Sequence, residues 1–170
     1  MHESQNSGDI GLQDRISGKR ILVTGACGTV GHALIRQLLE GGEHSPAEVV
    51  GIDNAESPLF FLDQAWQGDR RARFRLADIR DRDAMVEIMK GMDVVFHTAA
   101  LKHVILCEQA PFEAVQTNII GMNNIIQAAQ RTNPELVIFT SSDKAVNPTN
   151  VMGTSKLMGE RLVTAANGNR

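Results

Sequence analysis

Two stretches of this chain carry residue types whose spacing suits chemistry. The first is Ile21-Leu-Val-Thr-Gly-Ala-Cys-Gly-Thr-Val-Gly31, in which Gly25, Gly28 and Gly31 punctuate a turn. Glycine lets backbone turn sharply and lie against a ligand where a Cβ would intrude. Free amides at the start of a following helix, here Thr29, Val30 and Gly31, favour a phosphate. The chemistry this predicts is binding of a dinucleotide, because the glycines lie between a strand pattern and a helix pattern. The alternative is a glycine-rich turn that serves packing alone. The second stretch is Ser142-Asp143-Lys144, with Met152-Gly-Thr-Ser-Lys156 soon after. A carboxylate beside an amine suits proton transfer. Taken by themselves these residues read as an ordinary charged loop after a strand.

The elements that must position these residues follow from hydrophobic periodicity. Ile21–Thr24 is apolar and β-branched, which suits a strand buried on both faces. Val30, Ala33, Leu34 and Leu38 recur as in a helix, from about Thr29 to Glu40, stopped by Gly41-Gly42. Glu48–Asp53 reads as a second strand ending on an acid. There Asp53 would accept hydrogen bonds from the adenosine ribose and repel a 2′-phosphate, favouring NAD over NADP. Otherwise it is a solvated residue opening a turn with Asn54. Ser57–Trp66 suits a short helix, and Ala72–Ala77 alternates like a strand. Asp78 and Ile79 follow it, well placed to touch an adenine. Asp81 is predicted to cap a helix through Met85, Ile88 and Met89, closed by Gly91.

Asp93–Ala100 is predicted to be a fourth strand whose small Ala99 and Ala100 let backbone approach a cofactor. Lys102 then stands where ligands bind in open parallel sheets, to meet a diphosphate or the nicotinamide ribose, or simply to be solvated. His97 is expected to be a satisfied core histidine and His103 a structural or surface residue. Pro111 should open one long helix to about Arg131, with Val115, Ile119, Met122, Ile126 and Ala129 on one face. Asn118 inside it is disfavoured by helix propensity, which points to a polar task facing the sheet, at the cofactor. Leu136–Ser141 is the fifth strand, and Val151–Ala165 the last helix.

This alternation predicts an α/β fold, a Rossmann-type doubly wound parallel sheet. Residues 19–170 would form one NAD-binding domain, and residues 1–18 a flexible arm whose Ile10 and Leu12 could dock on a neighbour. Apolar content of 42% and charged content of 22% are ordinary for a globular protein. A net charge of −3 gives no general attraction to nucleic acid or membrane. No apolar run reaches membrane-span length, and no signal-peptide pattern is present. The two cysteines, Cys27 and Cys107, lack metal-ligand spacing and suit reduced thiols in a cytoplasm.

The loop Thr24-Gly-x-x-Gly-x-x-Gly31 resembles that of the extended short-chain dehydrogenase/reductase superfamily. Three further motifs narrow the resemblance: Ala99-Ala-Leu-Lys-His-Val104, Pro111-Phe-Glu-Ala-Val-Gln-Thr-Asn118 and Ser142-Asp-Lys-Ala-Val-Asn-Pro-Thr-Asn-Val-Met-Gly153. Together they resemble nucleotide-sugar 4,6-dehydratases of bacterial polysaccharide biosynthesis, the group acting on UDP-N-acetylglucosamine. The resemblance runs from about Lys19 to Leu162. It implies a bound NAD, a nucleotide-sugar substrate and a 4-keto-6-deoxy product. It also implies Asp143 as the acid for the C6 oxygen, Lys144 as the base at C5, Ser142 near O4, and Lys156 on the nicotinamide ribose. A lysine serves as a base when its pKa falls.

Two departures stand out. The superfamily carries Tyr-x-x-x-Lys where this chain has Met152-Gly-Thr-Ser-Lys156, and the chain has no tyrosine at all. A thioether is no base. Either Asp143 deprotonates the 4-hydroxyl, through Ser142, or the chain does no redox chemistry. Met at this position resembles a branch of the dehydratases that retains configuration at C5. Second, family members continue into a substrate lobe, so the expectation is a chain lacking that C-terminal lobe, binding NAD partly and turning over poorly. A homo-oligomer is expected through the two long helices. The competing readings are a 4-epimerase and a non-catalytic nucleotide-binding module.

Overall fold

The computed structural model describes residues 15–168. Most of the expected N-terminal arm, including Ile10 and Leu12, lies outside the described residues. Five strands form one sheet: β1 (Arg20–Thr24), β2 (Glu48–Asp53), β3 (Ala72–Leu76), β4 (Val94–His97) and β5 (Leu136–Phe139). Their order is β3-β2-β1-β4-β5, and every pairing is parallel. The chain runs outward on one side of β1, then crosses to the other. Loops after β1 and β4 therefore diverge and leave a crevice between them. This is the expected Rossmann-type α/β sheet.

Alternation along the strands divides the core into two layers. Ile21, Val23, Val49 and Val94 face α1 (Thr29–Glu40) and α2 (Glu56–Ala65), meeting Ile35, Leu38, Leu59 and Leu62. Leu22, Val50, Ile52 and Val95 face the opposite layer. There they meet Met85, Ile88 and Met89 of α3 (Arg82–Met89) and Met122, Ile125 and Ala128 of a later helix. Central strands are apolar on both faces because both faces are covered. Asp81 caps α3, its Oδ1 accepting from the Asp83 and Ala84 amides at 3.1 and 3.0 Å. Gly91 follows α3 with φ +71°, a conformation that L side chains rarely adopt.

The stretch expected to be one long helix is built differently. A short helix α4 (Val104–Gln109) precedes it, and α5 (Pro111–Ala114) opens it. A π-turn over Val115–Ile120 then leads into α6 (Gly121–Thr132). The wider turn moves the buried face. Ala114, Asn118, Met122, Ile125, Ala128 and Ala129 are buried, while Val115 is exposed and Ile119 and Ile126 only half-buried. The periodicity that placed Val115, Ile119 and Ile126 inward assumed an unbroken helix of 3.6 residues per turn, and the π-turn breaks that phase. After β5, a short 3₁₀ turn (Asp143–Ala145) leads to α7 (Val151–Gly168).

Candidate functional site

A cleft of about 680 Å³ opens at the carboxyl ends of the strands, over the point where the chain changes direction. Its floor is the glycine loop. Gly25 has φ +71°, and a Cβ there would stand 2.7 Å from the Ala99 backbone. A Cβ on Gly31 would run into the Gly25 carbonyl. The amide of Gly28 donates to the Gly25 carbonyl at 3.0 Å and closes the turn. Helix α1 begins there, its first bond running from His32 N to Gly28 O at 2.9 Å. The amides of Thr29, Val30 and Gly31 precede that bond, and among the described residues no side chain caps them. A cradle that side chains would fill, lined by uncapped amides, fits a diphosphate.

The residues singled out from the sequence sort by element. Asp53 ends β2 in the cleft wall, its Oδ2 accepting from Cys27 N and its Oδ1 from Ala55 N, both at 3.0 Å. It ties β2 to the glycine loop, and each oxygen keeps an acceptor site for a ribose hydroxyl. Asn54, Asp78 and Ile79 also line the cleft. Asn54 Nδ2 donates to Asp78 Oδ2 at 3.3 Å. The Arg80 guanidinium grips the same carboxylate, with Nη2 to Oδ2 at 2.6 Å and Nε to Oδ1 at 3.0 Å. Those bonds hold the Asp78 carboxyl below the usual carboxylate range. Arg80 also reaches Glu113 of α5, Nη1 to Oε2 at 3.0 Å.

Ala99, Ala100 and an exposed Lys102 form the wall after β4. Behind them Thr24 Oγ1 meets His97 Nδ1 at 2.7 Å and accepts from the Ala99 amide at 3.3 Å. His97 is fully buried. Burial, and then the nearby Lys156 charge, pull its pKa down to about 3, so the ring is neutral.

Asn118 stands apart from the other residues singled out. It does not line the cleft but stands behind it, buried. Its Oδ1 accepts from Leu101 N at 2.8 Å, and its Nδ2 donates to Leu101 O at 2.9 Å and to Ser155 Oγ at 2.8 Å. The polar task inferred from an asparagine inside a helix is to hold the Ala99–Lys102 loop, with both amide hydrogens engaged within the protein.

The remaining wall comes from β5 and α7. Ser142, Lys144, Met152 and Lys156 all line it. Lys156 is 6% exposed, and its Nζ donates to Thr140 O at 2.6 Å and sits 4.2 Å from the centre of the Phe139 ring. Burial lowers its pKa to about 8, with Glu160 acting in the opposite direction. Met152 is buried one turn earlier on α7. Asp143 lies just outside the cleft wall, highly exposed. Ser142 Oγ donates to its Oδ1 at 3.0 Å, and Lys144 Nζ stands 3.4 Å from the same oxygen. The Ser142 hydroxyl, and then the Lys144 charge, hold the Asp143 carboxyl below its ordinary range.

Sequence reasoning missed Arg80, Glu113, Thr98, Thr140 and Ser141, all of which line the cleft. Arg80 carried a signal, two residues after a predicted ligand-facing acid. Glu113 carried none, because its partner is 33 residues away. Among the described residues no three His, Cys, Asp or Glu side chains are grouped to hold a metal ion.

Comparison with known proteins places this geometry. An uncharacterized membrane protein of Methanocaldococcus jannaschii is 45% identical over 149 residues, 88% of this chain and 44% of that protein. A UDP-glucose 4-epimerase of Rickettsia canadensis is 36% identical over 154 residues, 86% of this chain and 43% of that one. The structure of DesIV, a dTDP-glucose 4,6-dehydratase of Streptomyces venezuelae with NAD and TYD bound, matches with a TM-score of 0.77 and 28% identity. That match covers 86% of this chain and 51% of DesIV. The chain thus spans less than half the length of these two curated relatives. Among the described residues no helix is long and apolar enough to cross a membrane. The family model for polysaccharide biosynthesis proteins matches residues 21–170, the whole sheet and its cleft, and the chain belongs to that family, among homologues that include nucleotide-sugar epimerases and dehydratases.

Proposed function

We propose that this chain binds NAD in the cleft and forms the cofactor-binding and catalytic part of a nucleotide-sugar 4,6-dehydratase. The substrate is UDP-N-acetylglucosamine and the product its 4-keto-6-deoxy derivative. The observation that carries the reading is the wall shared by Ser142, Lys144 and Lys156, in which the buried thioether of Met152 stands in place of a tyrosine. The glycine cradle, the Thr29–Gly31 amides and Asp53 support the cofactor, and Lys156 would hold its nicotinamide ribose.

Bound NAD supplies a hydride acceptor for C4 of the sugar and returns the hydride to C6. Everything else falls to the chain. Asp143 is ionised in the free protein, so it first acts as a base, taking the 4-hydroxyl proton by way of the Ser142 hydroxyl. Once C4 is a ketone, the C5 proton is acidic and passes to the neutral form of Lys144 Nζ, which gives it back to C5 when hydride reaches C6. The electron pair left at C5 forms the C5–C6 double bond, and the C6–O bond breaks. Asp143 returns its proton to the departing oxygen, which leaves as water. One carboxylate thus serves both ends of the sequence, removing the need for a tyrosine.

A second reading, a 4-epimerase, is favoured by the 36% identity to the Rickettsia enzyme. Incubation with NAD and UDP-N-acetylglucosamine, followed by mass spectrometry and sugar NMR, separates the two. A product lighter by one water, with a C4 keto signal, absent with Asp143→Asn, is the expected result. UDP-N-acetylgalactosamine at unchanged mass supports the epimerase and overturns the dehydratase. Tight NAD binding with neither product, also from a full-length relative's lobe supplied in trans, leaves a nucleotide-binding module.

A further inference from the structure

We propose that Phe139 is a positioning residue: its ring, set between His97 and Gly159, is the platform that seats the Lys156 ammonium at the cofactor cleft. The inference rests on reading the cleft as a NAD site with Lys156 at the nicotinamide ribose, and assigns what holds that lysine in place.

An ammonium carries three donors and no acceptor. Among the described residues Lys156 Nζ has one hydrogen-bond acceptor, the Thr140 carbonyl at 2.6 Å. Glu160, one turn further along α7, acts on the charge, but its carboxylate accepts from Ser141 Oγ. Met152, one turn earlier, brings a thioether and no charge. A buried cation with so few polar partners depends on whatever negative surface adjoins it. That surface is the Phe139 ring, over which Nζ stands 4.2 Å from the centre. The face of an aromatic ring is negative and attracts a cation, more strongly where water is excluded.

The ring is itself fixed from two sides. β4 and β5 set His97 and Phe139 side by side in register, and their rings stack at 5.9 Å with 21° between the planes. His97 is neutral and so does not compete as a second cation for the ring face. On the other side α7 crosses the tip of the ring at Gly159, where a Cβ would stand 2.9 Å from Phe139 Cζ. Lys156 and Gly159 lie three residues apart on α7 and share one face of that helix. The helix thus brings its backbone onto the end of the ring and its ammonium over the ring face. Thr140, next along the chain after β5, supplies the carbonyl, so both partners of Nζ come from one strand end.

The test changes the electrons of the ring and leaves its shape. Phe139 is replaced by meta-fluoro- and di-meta-fluorophenylalanine through a suppressed stop codon. Fluorine draws electrons from the ring face, and the meta positions leave Cζ, the atom against Gly159, unsubstituted. Glu160 on α7, His97 on β4, and Asp143 and Lys144 of the 3₁₀ turn are the titratable groups around the ammonium, and all stay as they are. Lysine isotopically labelled at Cε reports the titration midpoint of Lys156 by NMR, assigned through the signal lost in Lys156→Arg.

In the ligand-free chain the midpoint should fall from about 8 in order of fluorine count, by about half a pH unit with two fluorines. Calorimetric NAD affinity should then weaken about twofold near pH 8 and hold at about pH 6.5, where the ammonium is charged in every form. A midpoint that does not follow the fluorines, or a loss of affinity equal at both pH values, overturns the assignment. Failure of the unaltered chain to bind NAD overturns the cofactor reading, while the midpoints, measured without ligand, still decide the place of Phe139. Thermal unfolding checks that each fluorinated chain keeps its packing.

Discussion

Two buried basic side chains at the cleft, Lys156 and His97, make stability rise with pH in two separate windows. Lys156 has its pKa lowered by burial from 10.5 to about 8. Below about 8 both folded and unfolded chains carry the charge, and the folded state bears the full burial penalty. Between about 8 and 10.5 the folded chain has released the proton while the unfolded chain keeps it, so stability rises with pH. Lys156→Met should abolish this rise. The difference between wild type and variant should move toward wild type by about 3 kcal/mol at most across that window, read from urea melts at stepped pH. His97 behaves in the acid range. Its pKa falls from 6.5 to about 3, so its contribution is present above 6.5 and is lost as pH falls toward 3. His97→Asn should flatten the acid limb of the stability profile, by roughly 2–4 kcal/mol across the window. An equally steep acid limb in the variant would assign the acid sensitivity elsewhere.

The π-turn gives the helical segment its task. Over a few turns it must grip two separate loops of the cleft. Asn118 holds Leu101 in the loop after β4, and Asn124 holds Ile79 and Arg80 in the loop after β3. The widened turn brings Ala114, Asn118 and Met122 inward at intervals of four residues, which the regular period would not maintain. Asn118→Ala would strip partners from the Leu101 amide and carbonyl and from Ser155 at once. Leaving such groups unpaired costs about 1–3 kcal/mol each. The variant should lose roughly 2–4 kcal/mol in denaturant unfolding, and amide exchange should rise across Ala99–Lys102. A loss confined to stability, with that loop still protected, would contradict the role of Asn118 as its anchor.

At the scale of the whole molecule, protection should follow sheet order. β1 lies at the centre, and Ile21, Leu22 and Val23 are wholly buried. β3 and β5 are the edges, and every residue of β5 is only partly buried. Hydrogen exchange should therefore be slowest in β1, β2 and β4, and clearly faster in β3 and β5. Uniform protection across all five strands would show that the edges are covered by something further. The groove lined by Met122, Leu136, Val137 and Val163 beside β5 is where such a cover would sit.

Much of the fold was legible in the sequence because its signals are local. A buried strand declares itself by a continuous apolar run, as in Ile21–Val23, and α1 by its period and the glycines that follow. Gly25 and Gly31 announce a backbone cradle because a Cβ at either would run into neighbouring backbone. What the sequence could not determine depends on contacts between distant segments. Asn118 advertised a polar task, but only the folded chain shows that its amide is engaged by Leu101 and Ser155 and turned from the cleft. Asp78 was legible as a residue at the end of a strand, but only tertiary packing shows Arg80 and Asn54 on its oxygens and Glu113 on the far edge of Arg80. The sequence by itself determined the order of the strands, the residues of those strands that fill the core and the glycine loop that floors the cleft, since each is set by residue type and period. The tertiary structure alone decided which polar groups remain free to meet a ligand, because a hydrogen bond is allotted by distance in space and a sequence carries only distance along the chain.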